Sequence, residues 1–217
     1  LTYIQAVNEA LRQEMERDDS VIVMGEDIAG GGTRPDKQDA WGGPMRLTKG
    51  LIGQFGPERI RDTPISEAGF VGAGVGAAAA GLRPVVDLMY VGFFGVCADQ
   101  IVNNAAKMHY MFGGKVTVPL TIMTGTGAGT NSAAQHSETL YSIFTHFPGL
   151  KCVVPSNPYN VKGLFMAAIR DEDPVIIFNN RQMMGFRGDT HVPEEPYTLE
   201  IGKADIALQA ALAQPLD

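Results

Sequence analysis

Residues 62–84 read DTPISEAGFVGAGVGAAAAGLRP, from Asp62 to Pro84. One carboxylate, Glu67, opens a run built almost wholly of Gly and Ala, with helical length over 67–81. An apolar strand pattern, Pro84–Met89, follows directly, and Arg59–Asp62 precedes it as another. Strand, helix, strand in that succession is the repeating unit of a parallel sheet. Small side chains let a second backbone or a flat ligand come very close. Around Glu67 they supply neither charge nor polarity, a setting that suits a carboxyl group trading a proton. The same residues suit an acidic helix start followed by a tight packing face, because Asp and Glu favour a first turn. The stretch alone leaves both readings open.

Outward from it the alternation continues. Strands are expected at Val21–Gly25, Lys151–Val154, Pro119–Thr124 and Pro174–Phe178, and helices over 95–112, 137–146 and 158–171. Leu1–Arg17 carries an amphipathic helix pattern with both signs of charge. The expected fold class is α/β, a mostly parallel sheet with helices on both faces. Ligands in such folds sit at the carboxyl ends of strands. Glu26, Glu67, Met89 and Gly125 all fall at or just after strand ends, which makes them candidates for one rim. Two long irregular stretches, Gly25–Gly50 and Gly125–His136, read as functional loops. Residues 1–190 are expected to form one domain. Residues 191–217 read as a connector and the truncated start of a carboxyl-terminal domain that is otherwise absent.

Composition narrows the function. The net charge is −7 with no basic stripe, which argues against nucleic acid and anionic membranes. No apolar run approaches the ~20 residues that span a bilayer. Cys97 and Cys152 stand far apart among apolar residues, as buried free thiols of a reducing compartment do, so a soluble cytoplasmic protein is expected. The glycines at 69, 72, 74 and 76 do not make a dinucleotide fingerprint, because Pro64–Glu67 intervenes after the strand and Asp87 comes too early. His109, His136, His146 and His191 lack zinc-ligand spacing, and no nucleophile elbow or Walker loop is present. Phe93, after the Met89 strand end, reads as core or as a wall for a planar ligand.

Taken together, several stretches resemble one family: Gly25-Glu26-Asp27, Thr48–Leu51, Asp62–Phe70, Gly81–Pro84, Asp99-Gln100, Ala105–Lys107, Tyr110–Gly114, Ala134–Ser137, Pro148–Lys151 and Ala168–Pro174. They resemble, in family order, the beta subunits of the thiamine-diphosphate-dependent decarboxylating components of 2-oxo-acid dehydrogenase complexes. The domain resembled is the transketolase-like pyrimidine-binding domain. Within that family Ala40–Gly43 and Tyr110–Lys115 look most like acetoin dehydrogenase, beside the pyruvate and branched-chain enzymes.

The resemblance implies a role for each candidate. Glu67 would bond the aminopyrimidine ring nitrogen of thiamine diphosphate, activating the cofactor for ylid formation, and the Gly/Ala setting would keep it dry. Phe93 would stack on the pyrimidine, Met89 would line its pocket and Glu26 would stand nearby. His136 would face the substrate and serve acyl transfer to lipoamide. A structural monovalent cation, potassium, maps onto Leu120, Ala168, Ile169, Asp171 and Asp173, where an extra carboxylate at Asp173 favours more cation charge. The Gly-Asp-Gly…Asn motif for magnesium and diphosphate is not matched by Gly188-Asp189-Thr190. That half of the site is expected from an alpha subunit, in a complex of two alpha and two beta chains that serves a lipoyl acyltransferase core. This chain should be inactive without alpha. The alternative is a truncated, non-catalytic paralogue or fragment that only dimerises or pairs with alpha.

Overall fold

Runs of apolar and β-branched residues between Gly, Pro and Asp punctuation form the strands β1 (Val21–Gly25), β2 (Ile60–Asp62), β3 (Arg83–Tyr90), β4 (Thr121–Thr126), β5 (Lys151–Val153) and β6 (Val175–Asn180). The computed structural model describes residues 1–29, 42–188 and 191–204. Residues 30–41 of the long loop (with Ala40 and Trp41), Asp189, Thr190 and Leu208–Asp217 lie outside the described residues. The strands pair in parallel throughout, in the order β2-β1-β3-β4-β6-β5. Each expected strand is present, with ends moved by two residues at most.

Helices fill the crossovers. α1 (Tyr3–Arg17) precedes β1, α2 (Leu51–Phe55) joins β1 to β2, and α3 (Glu67–Ala79) joins β2 to β3. α4 (Phe94–Asp99), a π-helical turn (Gln100–Ala105) and α5 (Ala106–Met111) lead to β4. α6 (Tyr141–Thr145) leads to β5, and α7 (Pro158–Arg170) returns to β6. α7 starts where the Asn157 side chain accepts the Asn160 N–H at 2.7 Å with Pro158 in the first turn.

Period-2 alternation feeds two core layers. Val21, Val23, Val85, Val175 and Ile177 pack with Val7 and Leu11 of α1 and with Val161 and Phe165 of α7. Ile22, Met24, Val86, Leu88 and Ile176 pack with Phe70, Val71 and Val75 of α3 and with Phe94 of α4. Helices therefore cover both faces.

Two local expectations change. The helix read over 95–112 is interrupted by the π turn, where the Asn104 side chain bonds the Asp99 carbonyl five residues back at 3.3 Å. The helix read over 137–146 contracts to α6, and a separate 3-10 turn, Ala134–His136, precedes it. Residues 191–204 make contacts with α7. Lys162, fully buried, donates to the Pro193 and Glu194 carbonyls at 2.5 and 3.1 Å, and Tyr197 stacks on Tyr159 at 4.8 Å. No helix among the described residues is long and apolar enough to cross a membrane.

Candidate functional site

β1 runs on toward β2 on one side and β3 toward β4 on the other, so their carboxyl ends open a crevice of the kind that receives ligands. Gly25 ends β1 opposite both Asp62 and Asp87. The Thr63 N–H donates to the Gly25 carbonyl at 3.0 Å, and the Asp62 carboxylate accepts the Ala29 N–H at 2.6 Å. These bonds fold the short turn after β2 onto the end of β1 and bring Glu67, the first residue of α3, toward Glu26. Burial first, then the charges of Asp27 and Glu67, raise the Glu26 pKa above the ordinary carboxylate value. Glu67 itself is half-buried, beside exposed Ala68 and Gly69 and an Ile65 that is 78% exposed. Among the described residues Glu67 is therefore not sealed from water.

An aromatic cluster stands at the carboxyl end of β3. The β3–β4 register shifts between Asp87 and Tyr90, and Met89 takes a left-handed φ of 60° while its N–H donates to the Asp87 carboxylate at 2.8 Å. A 3-10 turn, Val91–Phe93, follows. Phe93 meets the Tyr90 ring edge-on at 5.7 Å and the His136 ring at 5.5 Å, and Tyr90 and His136 lie 4.3 Å apart. Gly92 permits the approach: a Cβ there would lie 3.0 Å from the Gln135 carbonyl and would collide with the Glu138 carboxylate.

Cys97 links the two halves. Its thiol contacts the Phe93 carbonyl at 3.8 Å, and burial first, then the Glu67 charge, push its pKa up to about 12. Glu26, Glu67, Phe93 and His136 therefore occupy one edge. Met89 shares that edge but packs toward the α1–α7 layer, whereas Phe93 packs toward the α3 layer. A carboxyl pair and an aromatic wall with an imidazole at its end, on one edge of the sheet, can grip a flat nitrogenous ring by edge and face and move protons to it.

The cation candidates gather elsewhere, behind the amino end of β6. The Leu120 and Ala168 carbonyls accept the Val175 and Asp171 N–H groups at 2.9 and 3.2 Å. Arg83 donates to the Ile169 and Asp171 carbonyls at 3.0 and 3.1 Å. Lys151 bonds the Asp171 carboxylate at 2.8 and 2.9 Å and that of Asp173 at 3.0 Å. Burial works to lower the Lys151 pKa, but its bonds to Asp171 and Asp173 outweigh that and raise it. The extra charge of Asp173, read from sequence as a pull toward a more highly charged ion, is met by a resident ammonium. Lys151 thus occupies both carboxylates, and among the described residues no group of three or more His, Cys, Asp or Glu could hold a metal ion.

Three residues of the edge escaped the sequence reading. Tyr90 lies one position beyond the expected end of β3. Arg181 lies just past β6, which was read two residues short. Asp87 was weighed only as a ribose ligand. It is 3% exposed, and burial, partly offset by the Met89 N–H, pushes its pKa up to about 6.

Such an edge on an all-parallel α/β sheet defines a ligand-binding domain of the crevice type. Residues 1–187 match the family described as transketolase, pyrimidine binding domain, and the chain belongs to that family. It is 53% identical over 203 residues to the beta subunit of acetoin:2,6-dichlorophenolindophenol oxidoreductase of Bacillus subtilis, covering 93% of this chain and 59% of the relative. It is 43% identical over 206 residues to the pyruvate dehydrogenase E1 component subunit beta of Rickettsia felis, covering 95% and 60%. The chain thus spans about three fifths of the length of these curated relatives. A solved split-gene transketolase, described as an inactive beta4 tetramer, shares the fold at a TM-score of 0.63 and 17% identity over 83% of this chain and 52% of that one.

Proposed function

We propose that this chain is the pyrimidine-binding part of a beta subunit of a thiamine-diphosphate-dependent acetoin or 2-oxo-acid dehydrogenase component. The observation that carries the reading is the edge itself: the Glu26–Glu67 carboxyl pair and the Phe93–His136 ring pair lie at neighbouring strand ends in a chain 53% identical to an acetoin oxidoreductase beta subunit. The residues present fit half of such a cofactor, an edge acceptor and a flat apolar wall. When bound, thiamine diphosphate supplies the electron sink for cleaving a bond beside a carbonyl.

This chain's own residues do the rest. Glu67 exchanges a proton at the ring nitrogen of the aminopyrimidine. Glu26, whose pKa is raised, stands beside it as a second proton holder. Phe93 stacks on the ring, Met89 closes the edge, and His136 steadies charge on the substrate oxygen and moves a proton as the acyl group passes to lipoamide. An alpha subunit brings the magnesium and diphosphate contacts. The exposed collar of Ile65, Ala68 and Gly69 supports the idea that a second chain seals Glu67, in an assembly of two alpha and two beta chains serving a lipoyl acyltransferase core. For the structural ion the candidate donors are Leu120, Ala168, Ile169, Asp171 and Asp173, largely through backbone oxygens, and no step depends on it.

Turnover tests the reading. With cognate alpha subunit, magnesium and the cofactor, wild-type chain should cleave acetoin or a 2-oxo acid. Glu67→Gln should lower kcat by about 10²-fold or more, the scale of a lost general acid–base group. Near wild-type turnover in Glu67→Gln would remove Glu67 from the chemistry. No turnover with wild-type chain, despite pairing with alpha, would establish the non-catalytic alternative.

A further inference from the structure

Arg181 makes three contacts at once. One guanidinium nitrogen donates to the His136 carbonyl, and the other donates to the Ser132 hydroxyl at 2.7 Å. The guanidinium carbon lies 4.9 Å from the centroid of the Tyr90 ring, the same ring that packs on His136 at 4.3 Å. A single side chain at the rigid end of β6 thus grips the loop carrying His136 at two places, together with the aromatic that His136 leans on.

The loop needs such a hold. Asn131 has φ 53°, and Ala133 has φ 60° with ψ −168°, a region that residues other than Gly rarely enter. Backbone of that kind is costly and persists only where the surroundings over-determine it. The base of the loop is closed by the Glu138 carbonyl, which accepts the Gly127 N–H at 2.9 Å and the Thr126 hydroxyl at 3.1 Å. Its middle and far end are tied by Arg181.

We propose that Arg181 is a positioning residue that holds the strained 127–138 loop so that His136 presents its imidazole at the Phe93 wall. The catalytic side of this proposal rests on the reading of His136 given above. Lysine cannot replace it fully, because one ammonium lacks the planar fork that makes two directed bonds while stacking on a ring.

Two measurements test it. In hydrogen exchange on the chain itself, Arg181→Met should speed exchange across 127–138 about tenfold and leave β4 and β6 unchanged. Ser132→Ala, which removes one loop bond and keeps Arg181, should give a smaller rise of about threefold. In the complex reconstituted with alpha, Arg181→Met should lower kcat about tenfold with KM within about twofold, and Arg181→Lys should recover part of that loss. Unchanged exchange in 127–138 in both Arg181→Met and Ser132→Ala overturns the proposal. Full turnover in His136→Ala overturns instead the role assigned to His136, and the exchange result still decides whether Arg181 holds the loop.

Discussion

Asp87 shows what a buried carboxyl does at the edge of a sheet. It accepts the Met89 N–H at 2.8 Å, and burial raises its pKa to about 6 from the ordinary 3.8. Between those two values the unfolded chain has released this proton while the folded chain still holds it. The native state then binds more protons, so the contribution of Asp87 to stability falls as pH rises through that window. Above about pH 6 the whole penalty applies, on the order of 2–3 kcal/mol. Asp87→Asn keeps an acceptor for Met89 and removes the titration. Its melting temperature relative to wild type should therefore climb from pH 4 to pH 7, as followed by circular dichroism. A difference independent of pH would contradict the assigned ionisation. At this scale Glu67, Phe93 and His136 were legible, because a lone acid before Gly and Ala, an aromatic after a strand end and a histidine ending a Gly-rich loop each stand out. Tyr90 and Arg181 were not, since their roles depend on a register shift and on a strand longer than its apolar run.

Among the elements, α3 couples the site to the sheet. Glu67 is its first residue, while Gly74 lies against β3, where an added Cβ would come within 2.7 Å of a Val86 methyl. Gly76, on the open face, has nothing within 4 Å. Gly74→Val should cost about 1–3 kcal/mol by overpacking. In a chain of this size each kcal/mol lowers the melting temperature by roughly 2–4 °C. Gly76→Ala should raise it, since Ala is the better helix former by up to ~1 kcal/mol. Equal shifts in the two variants would contradict the packing described. The strands were readable because their apolar runs are sharply punctuated, and α7 because Asn157, Pro158 and the Asp173-Pro174 pair mark its ends. α2 escaped notice because five residues hold too little periodicity to register. The π turn escaped because the polar cluster Asp99, Gln100, Asn103 and Asn104 bonds within itself without disturbing the helical spacing of apolar residues.

For the whole molecule the decisive feature is an edge that this chain only half encloses. Carboxyls, aromatic wall and imidazole are assembled, yet Glu67 lies beside an exposed Ile65 and an exposed Ala/Gly surface. In the role proposed for Glu67, proton exchange with a ring nitrogen would gain from the exclusion of water, which a covering surface would supply. That need was visible in the sequence as small residues without charge. The extent of the opening was not, because it depends on how the turn after β2 packs on β1. Calorimetric titration of thiamine diphosphate, into this chain alone and into its mixture with cognate alpha subunit and magnesium, tests this directly. Tight binding in the mixture, none to the chain alone, and loss of binding in Glu67→Ala are the predicted results. Tight binding to the chain alone, or binding in the mixture that Glu67→Ala leaves untouched, would contradict it.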